Sequence, residues 1–181
     1  MRRMAFSYGC VMIRLPQHLD AEIRGYAAVV PDTLLVKTED ATSGIPDEIH
    51  VTVKYGLLTS DANEVADTIV GTEPIIVTLG RVGIFHNEEN AVLKIAVESR
   101  GLRALHNKVC SQIEHVNTYG DYRPHVTLAY LKKREDDPYY YRAFYSDEFE
   151  GRQFEVGRVV FSSVDGRRCI IYFDGTIIPL Q

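Results

Sequence analysis

Two short motifs of the same composition in this sequence each combine a histidine with a threonine. The first pairs His50 with Thr52 and the second pairs His125 with Thr127, with one valine between the partners and an apolar residue after them. Imidazole, whose unperturbed pKa is about 6.5, can take up or release a proton near neutral pH, and a hydroxyl can donate to a phosphate oxygen. Two such pairs on opposite sides of one phosphorus would supply a base, an acid and hydrogen-bond donors. The motifs do not say which histidine is the base.

Both motifs lie in apolar runs that are typical of β-strands. The runs at 49–55 and 122–130 are rich in β-branched and aromatic residues, which favour strands. Side chains alternate across a strand, so the histidine and threonine of each motif should share one face. The valines should then point to the opposite face, into a core.

The rest of the sequence predicts alternating strands and helices around these motifs. In chain order, the patterns predict a strand at 5–15, a helix at 16–30, a helix capped by Ser60 or Asp61 and stopped at Gly71, strands at 74–85 and 91–97, a helix at 101–116, and strands at 152–163 and 167–174 joined at Asp165-Gly166. The later half partly repeats the earlier one. We therefore expect an α+β fold in which 1–181 form a single domain. Its two similar lobes, each with an antiparallel sheet and one motif strand, should face each other across a central groove.

Composition and charge favour a small ligand over a long nucleic acid. The 181 residues are 45% hydrophobic and 25% charged, with a formal net charge of −5, whereas gripping a nucleic acid along its backbone usually requires a basic face. No apolar run is long enough to span a bilayer, and no signal peptide is evident. The three cysteines form no Cys-x-x-Cys pair, which favours reduced thiols in a cytoplasmic protein.

A metal site is the rival use for these histidines. No cysteine or second histidine lies at ligand spacing from His50 or His125, so the sequence does not support a zinc site. Glycine-rich loops that cradle phosphates are also missing from the sequence. We therefore expect no metal and no cofactor.

Three further stretches are candidates for substrate binding. Lys54 follows the first motif by two residues, so simple alternation would put it on the histidine face, where it could hold a second phosphate; a solvated lysine is the alternative. Tyr8 and Phe6 in the first strand could stack on a base, or they could belong to the core. The aromatic segment 139–145, which includes Tyr141, could form a lid over the groove or pack against the lobe surface.

The two motifs resemble those of the two-histidine (2H) phosphoesterase superfamily, and the resemblance extends over most of the chain. That group includes 2′-5′ RNA ligase-like proteins, cyclic phosphodiesterases and phage proteins that destroy cyclic oligonucleotide signals. The resemblance implies a bilobal α+β fold and metal-independent chemistry at a phosphodiester. The residues that it assigns to catalysis are His50, Thr52, His125 and Thr127.

The expected activity is hydrolysis of a small nucleotide phosphodiester. We expect a cyclic di- or trinucleotide of antiviral signalling as the substrate, as in the phage enzymes of this group, with the host cytoplasm as the location in that case. A 2′,3′-cyclic phosphodiesterase or a 2′-5′ oligonucleotide enzyme acting on RNA ends is the alternative enzyme. A module that sequesters a nucleotide without cleaving it is the alternative from another class.

Overall fold

The computed structural model describes residues 8–38, 41–117, 120–134, 137 and 139–180. Its helices are α1 (Gln17–Ala27), α2 (Ala62–Ile69) and α3 (Arg100–Gln112), with short 3-10 helices at Asp32–Leu34 and Tyr140–Phe144. Its strands are β1 (Gly9–Arg14), β2 (His50–Leu57), β3 (Ile75–His86), β4 (Ala91–Glu98), β5 (His125–Leu131), β6 (Gln153–Val156), β7 (Arg158–Ser162), β8 (Arg168–Tyr172) and β9 (Ile177–Leu180). Residues 5–7 of the first predicted strand lie outside the described ranges.

The strands form one sheet, and the two motif strands lie side by side in it. The order is β6-β3-β4-β5-β2-β1-β7-β8-β9, and neighbouring strands run antiparallel, as β2 and β5 do where Val51 lies opposite Val126. This confirms the predicted α+β fold. The two lobes correspond to the strands on either side of that valine pair, but they are joined into a continuous sheet because the motif strands pair directly.

The chain repeats one supersecondary unit, a strand, a helix and a motif strand. The first copy is β1-α1-β2 and the second is β4-α3-β5. Each helix packs against the motif strand of the other copy, since α1 contacts β5 and α3 contacts β2. The motif strand of each unit is therefore supported by the helix of the other unit.

Helix α3 shows why the sequence forms these elements. Its buried residues Leu102, Leu105 and Val109 recur at helical spacing and so lie on one side of the helix. The side chain of Ser99 begins the helix by accepting a hydrogen bond from the backbone N–H of Leu102 at 3.2 Å, which satisfies an otherwise unpaired donor. Of the two predicted caps of α2, it is Asp61 that acts in the same way, by accepting from the N–H of Asn63 at 2.9 Å.

The predicted strand at 152–163 is two strands in the structure. They are separated at Gly157 and lie in different parts of the sheet, because β6 pairs with β3 whereas β7 pairs with β1. The prediction was wrong here because an apolar run does not reveal that the chain changes partners within it. Within the described ranges, no helix is long and apolar enough to cross a membrane.

Candidate active site

The four motif side chains lie together on one face of the sheet. The central valines are fully buried, so the residues beside them point to the opposite face. There His50, Thr52, His125 and Thr127 are all half-buried. Because β2 and β5 run antiparallel through the valine pair, His50 comes to the side of Thr127, and Thr52 comes to the side of His125. The site therefore has an approximate twofold arrangement of two histidine–threonine pairs.

Each imidazole is oriented by the same local hydrogen bond. The Nδ1 atom of His50 lies 2.9 Å from the carbonyl oxygen of Glu48, and Nδ1 of His125 lies 2.8 Å from the carbonyl oxygen of Arg123. A carbonyl can only accept, so Nδ1 carries the proton and donates it in both residues. In the neutral imidazole this leaves Nε2 as the acceptor, which is the form that a general base requires.

The electrostatic environment favours the neutral form of His125. Burial lowers the pKa of His125, the hydrogen bond to the Arg123 carbonyl raises it, and the positive charges of Lys94 and His50 lower it, with a net shift below the usual value. The ring also packs edge-on against Phe85, with the centroids 5.2 Å apart. His125 is therefore kept in the neutral form that a general base requires.

Lys94 is a site residue that the sequence analysis missed. It lies opposite Thr127 in the pairing of β4 with β5, and paired residues of an antiparallel sheet point to the same face. Burial lowers the pKa of its ammonium group, and among the described residues no acidic side chain forms an ion pair with it. A single lysine between apolar residues of a predicted strand was the only available signal.

A second group of charged residues lies beside His50. Glu48 forms ion pairs with both Arg14 and Arg168, and Arg14 is directly opposite His50 in the pairing of β1 with β2. Burial alone would raise the pKa of the Glu48 carboxyl, but the hydrogen bonds from Arg168 and Arg14 outweigh this and hold the pKa below its usual value. We call these three side chains the arginine pair and its carboxylate.

Two stacked aromatic side chains hydrogen-bond to the backbone of the motif strand β2. The hydroxyl of Tyr122 donates to the carbonyl oxygen of Thr52 at 3.0 Å, and Nδ1 of His106 lies 2.7 Å from the carbonyl oxygen of Val53. The two rings are stacked, with centroids 3.9 Å apart and planes inclined by 5°. The backbone carbonyls of Thr52 and Val53 are thus fixed by side chains from α3 and from the segment before β5.

Lys54 does not lie where the sequence analysis placed it. The pairing of β1 with β2 shifts, so that Val11 lies opposite Lys54 while Met12 lies opposite Thr52. This extra residue in β2 interrupts the alternation of faces. The Lys54 side chain is instead buried, and its ammonium lies 3.4 Å from the amide oxygen of Asn117. The prediction that it shares the histidine face is therefore wrong.

The predicted aromatic contacts differ in outcome. Tyr8 is half-buried and packs edge-on against Tyr55, with centroids 5.8 Å apart, so its role as a stacking surface stays a prediction. Phe6 lies outside the described residues. Tyr141 is only 2% exposed, and its hydroxyl donates to the carbonyl of Lys132. A side chain this buried offers no surface to a substrate, so the prediction that Tyr141 binds substrate is wrong.

The described residues contain no group of three or more histidine, cysteine or acidic side chains placed to hold a metal ion. What the site does contain is a matched pair of imidazoles, two hydroxyls and nearby cations on the open face of an antiparallel sheet. This combination of fold and motifs is that of the two-histidine phosphoesterases. The sequence matches the 2′-5′ RNA ligase superfamily over residues 38–168. The chain belongs to this family, whose members act on phosphodiesters of nucleotides, and the predicted resemblance is confirmed.

Solved structures show the same fold at low sequence identity. The protein TT0787 of Thermus thermophilus superposes with a TM-score of 0.62 and 16% identity, covering 96% of this chain and 95% of that one. E. coli LigT in its apo form gives 0.60 and 16%, covering 96% and 94%. E. coli LigT complexed with 3′-AMP gives 0.62 and 16%, covering 96% and 95%. A comparison with curated proteins found no match.

Proposed function

We propose that this protein is a metal-independent phosphodiesterase that hydrolyses a cyclic di- or trinucleotide. The observation that carries this proposal is the matched orientation of His50 and His125, whose Nδ1 atoms both donate to backbone carbonyls at 2.9 and 2.8 Å. Each ring therefore presents Nε2 for proton transfer. Family membership supports a phosphodiester as the target.

His125 is the general base in this proposal, because its lowered pKa keeps it neutral. It removes a proton from the attacking water, whose oxygen forms a bond to phosphorus as the bond to the leaving oxygen breaks. His50, which for this step carries a proton on Nε2 as well as on Nδ1, donates the Nε2 proton to that leaving oxygen. Thr52 and Thr127 donate hydrogen bonds to the non-bridging oxygens, and the ammonium of Lys94 stabilises the charge that builds up on them.

The distribution of charge supports a small substrate. The chain as a whole carries a formal net charge of −5, which does not favour binding along a nucleic-acid backbone. Cations are nevertheless present beside both motifs, with Lys94 opposite Thr127 and Arg14 opposite His50. A compact ligand with few phosphates matches this local charge better than a long strand does.

Cleavage of RNA ends or of 2′,3′-cyclic phosphates is the second candidate. It is favoured by the structure of E. coli LigT, which has this fold and is described in complex with 3′-AMP, a mononucleotide of the kind that such cleavage leaves. A module that only sequesters nucleotides is less well supported, because it would not need both imidazoles in the proton-transfer orientation.

Initial rates on a panel of substrates test the proposal. A cyclic dinucleotide, a cyclic trinucleotide, 2′,3′-cyclic AMP and a long single-stranded RNA are compared at equal phosphodiester concentration, with products identified by mass. We expect the cyclic di- or trinucleotide to react fastest and His125→Asn to lower that rate by about 10²-fold or more. Faster reaction of the RNA or of 2′,3′-cyclic AMP would favour the second candidate, and binding without any product would favour sequestration.

A further inference from the structure

We propose that Arg14 and Arg168 form a binding site for a second phosphate of the substrate, one nucleotide away from the phosphate that is cleaved. This rests on the proposed function and narrows it to ligands with at least two phosphates. In a cyclic dinucleotide or trinucleotide, the second phosphate belongs to the same molecule as the first. A 2′,3′-cyclic mononucleotide without a further phosphate has nothing to place there.

The position of the arginine pair carries the proposal. Arg14 lies opposite His50 in the pairing of β1 with β2, so the two side chains emerge from adjacent strands on the same face. Arg168 reaches the same place from β8, passing Met12, whose sulfur lies 4.0 Å from the guanidinium. Met12 is itself opposite Thr52. Both guanidiniums therefore converge on the side of the motif where His50 acts.

The arginine pair retains charge and donors for a ligand. One carboxylate, that of Glu48, faces two guanidiniums, which leaves one positive charge in excess. Glu48 is bonded to Nε of Arg14 and to Nη2 of Arg168, whereas a guanidinium has five N–H donors. The side chains of Arg14 and Arg168 are 43% and 32% exposed. A phosphate approaching the open face of the sheet can therefore reach donors that Glu48 does not occupy.

The carboxylate of Glu48 has a positioning role in this arrangement. Its backbone carbonyl orients His50, while its side chain holds the two guanidiniums together against their mutual repulsion. The Nε atom of Arg168 is buried and has no hydrogen-bond partner among the described residues, so those residues leave one donor of this guanidinium unpaired. Because His50 is the proposed acid, the bound phosphate would belong to the nucleotide that carries the leaving oxygen.

Binding of two phosphomonoesters that the enzyme does not turn over tests this site. Adenosine 3′,5′-bisphosphate and 3′-AMP are titrated by calorimetry into the wild-type protein and into Arg14→Met and Arg168→Met. Arg158→Met is the matched control, since Arg158 is an exposed arginine of β7 whose guanidinium contacts Tyr172. Melting temperatures are measured to check that each variant is folded. If Arg168→Met does not fold, Arg14→Met alone tests the site.

We expect the wild-type protein to bind the bisphosphate at least tenfold more tightly than 3′-AMP. Arg14→Met and Arg168→Met should each reduce this ratio about tenfold, the effect of losing a hydrogen bond from a charged donor. Their affinity for 3′-AMP should stay at the wild-type value. The control Arg158→Met should leave both the ratio and the affinity for 3′-AMP unchanged. A ratio that is near one in the wild-type protein, or unaltered in both variants, overturns the proposal. These ratios need no turnover, so a failure of this site is distinct from a failure of the proposed reaction.

Discussion

Replacing Tyr122 by phenylalanine isolates the hydrogen bond that supports the backbone of Thr52. The substitution removes one oxygen, which donates to the Thr52 carbonyl at 3.0 Å, and leaves the stacking on His106 intact. Burial raises the pKa of the Tyr122 phenol, so the hydroxyl stays protonated and remains a donor throughout the working pH range. The change therefore tests one hydrogen bond and little else.

The expected loss of stability follows from the Thr52 carbonyl that the substitution leaves unpaired. A buried acceptor without its partner costs about 1–3 kcal/mol, so the free energy of unfolding should fall by about 1–2 kcal/mol. The carbonyl belongs to Thr52, whose hydroxyl is proposed to contact the phosphate, and small displacements of such groups are costly. We expect kcat to fall about tenfold, which corresponds to about 1.4 kcal/mol, with a smaller change in KM.

Tyr26→Phe is the matched control, because the Tyr26 hydroxyl also donates to a backbone carbonyl, that of Phe144, at 2.8 Å. This tyrosine lies on α1 and is partly buried, away from the motif residues. Denaturant unfolding and steady-state kinetics on both variants separate stability from catalysis. If Tyr122→Phe loses stability but keeps full kcat, as the control should, the hydroxyl is structural and the reasoning fails.

Three further predictions concern the chemistry of the site. The acidic limb of kcat/KM against pH should have its midpoint below the usual histidine value, because His125 must be neutral to act as a base and its pKa is lowered; a midpoint above that value would contradict the assignment. Lys94→Met should move this limb to higher pH, since a positive charge that lowers the pKa of His125 is lost. It should also lower kcat about tenfold, because a charged contact in the transition state is removed. A limb that does not move would place the ammonium away from His125. Activity should survive exhaustive chelation, and its loss with EDTA followed by rescue with a divalent cation would require a metal site instead.

Local patterns were sufficient to predict most elements of this fold. The motif strands, the amphipathic helix α3 and the Asp61 cap are all encoded in short stretches, through alternation, helical spacing and capping chemistry. The turn at Asp165-Gly166 was predicted for the same reason, and it joins β7 and β8 with Gly166 at φ 77°. A positive φ suits a glycine, which has no Cβ to clash.

The surroundings of the motifs could not be predicted, because they depend on pairings between distant strands. Lys54 does not lie on the histidine face, because β2 has a bulge in its pairing with the distant strand β1. Arg14 and Arg168 meet at Glu48 although they come from opposite ends of the chain. Tyr122 precedes the second motif, yet it supports the first. None of these contacts has a signature in local spacing.

The most direct test of the two-histidine mechanism is removal of each imidazole in turn. His50→Asn and His125→Asn keep a side-chain amide that can still donate to the backbone carbonyl, while they remove the group that transfers the proton. His18→Asn, on the exposed surface of α1, is the control. Each site variant should lower kcat/KM on the preferred nucleotide by about 10²-fold or more, and the double variant should be little worse than the poorer single one. Turnover close to the wild-type rate in either single variant would contradict the mechanism.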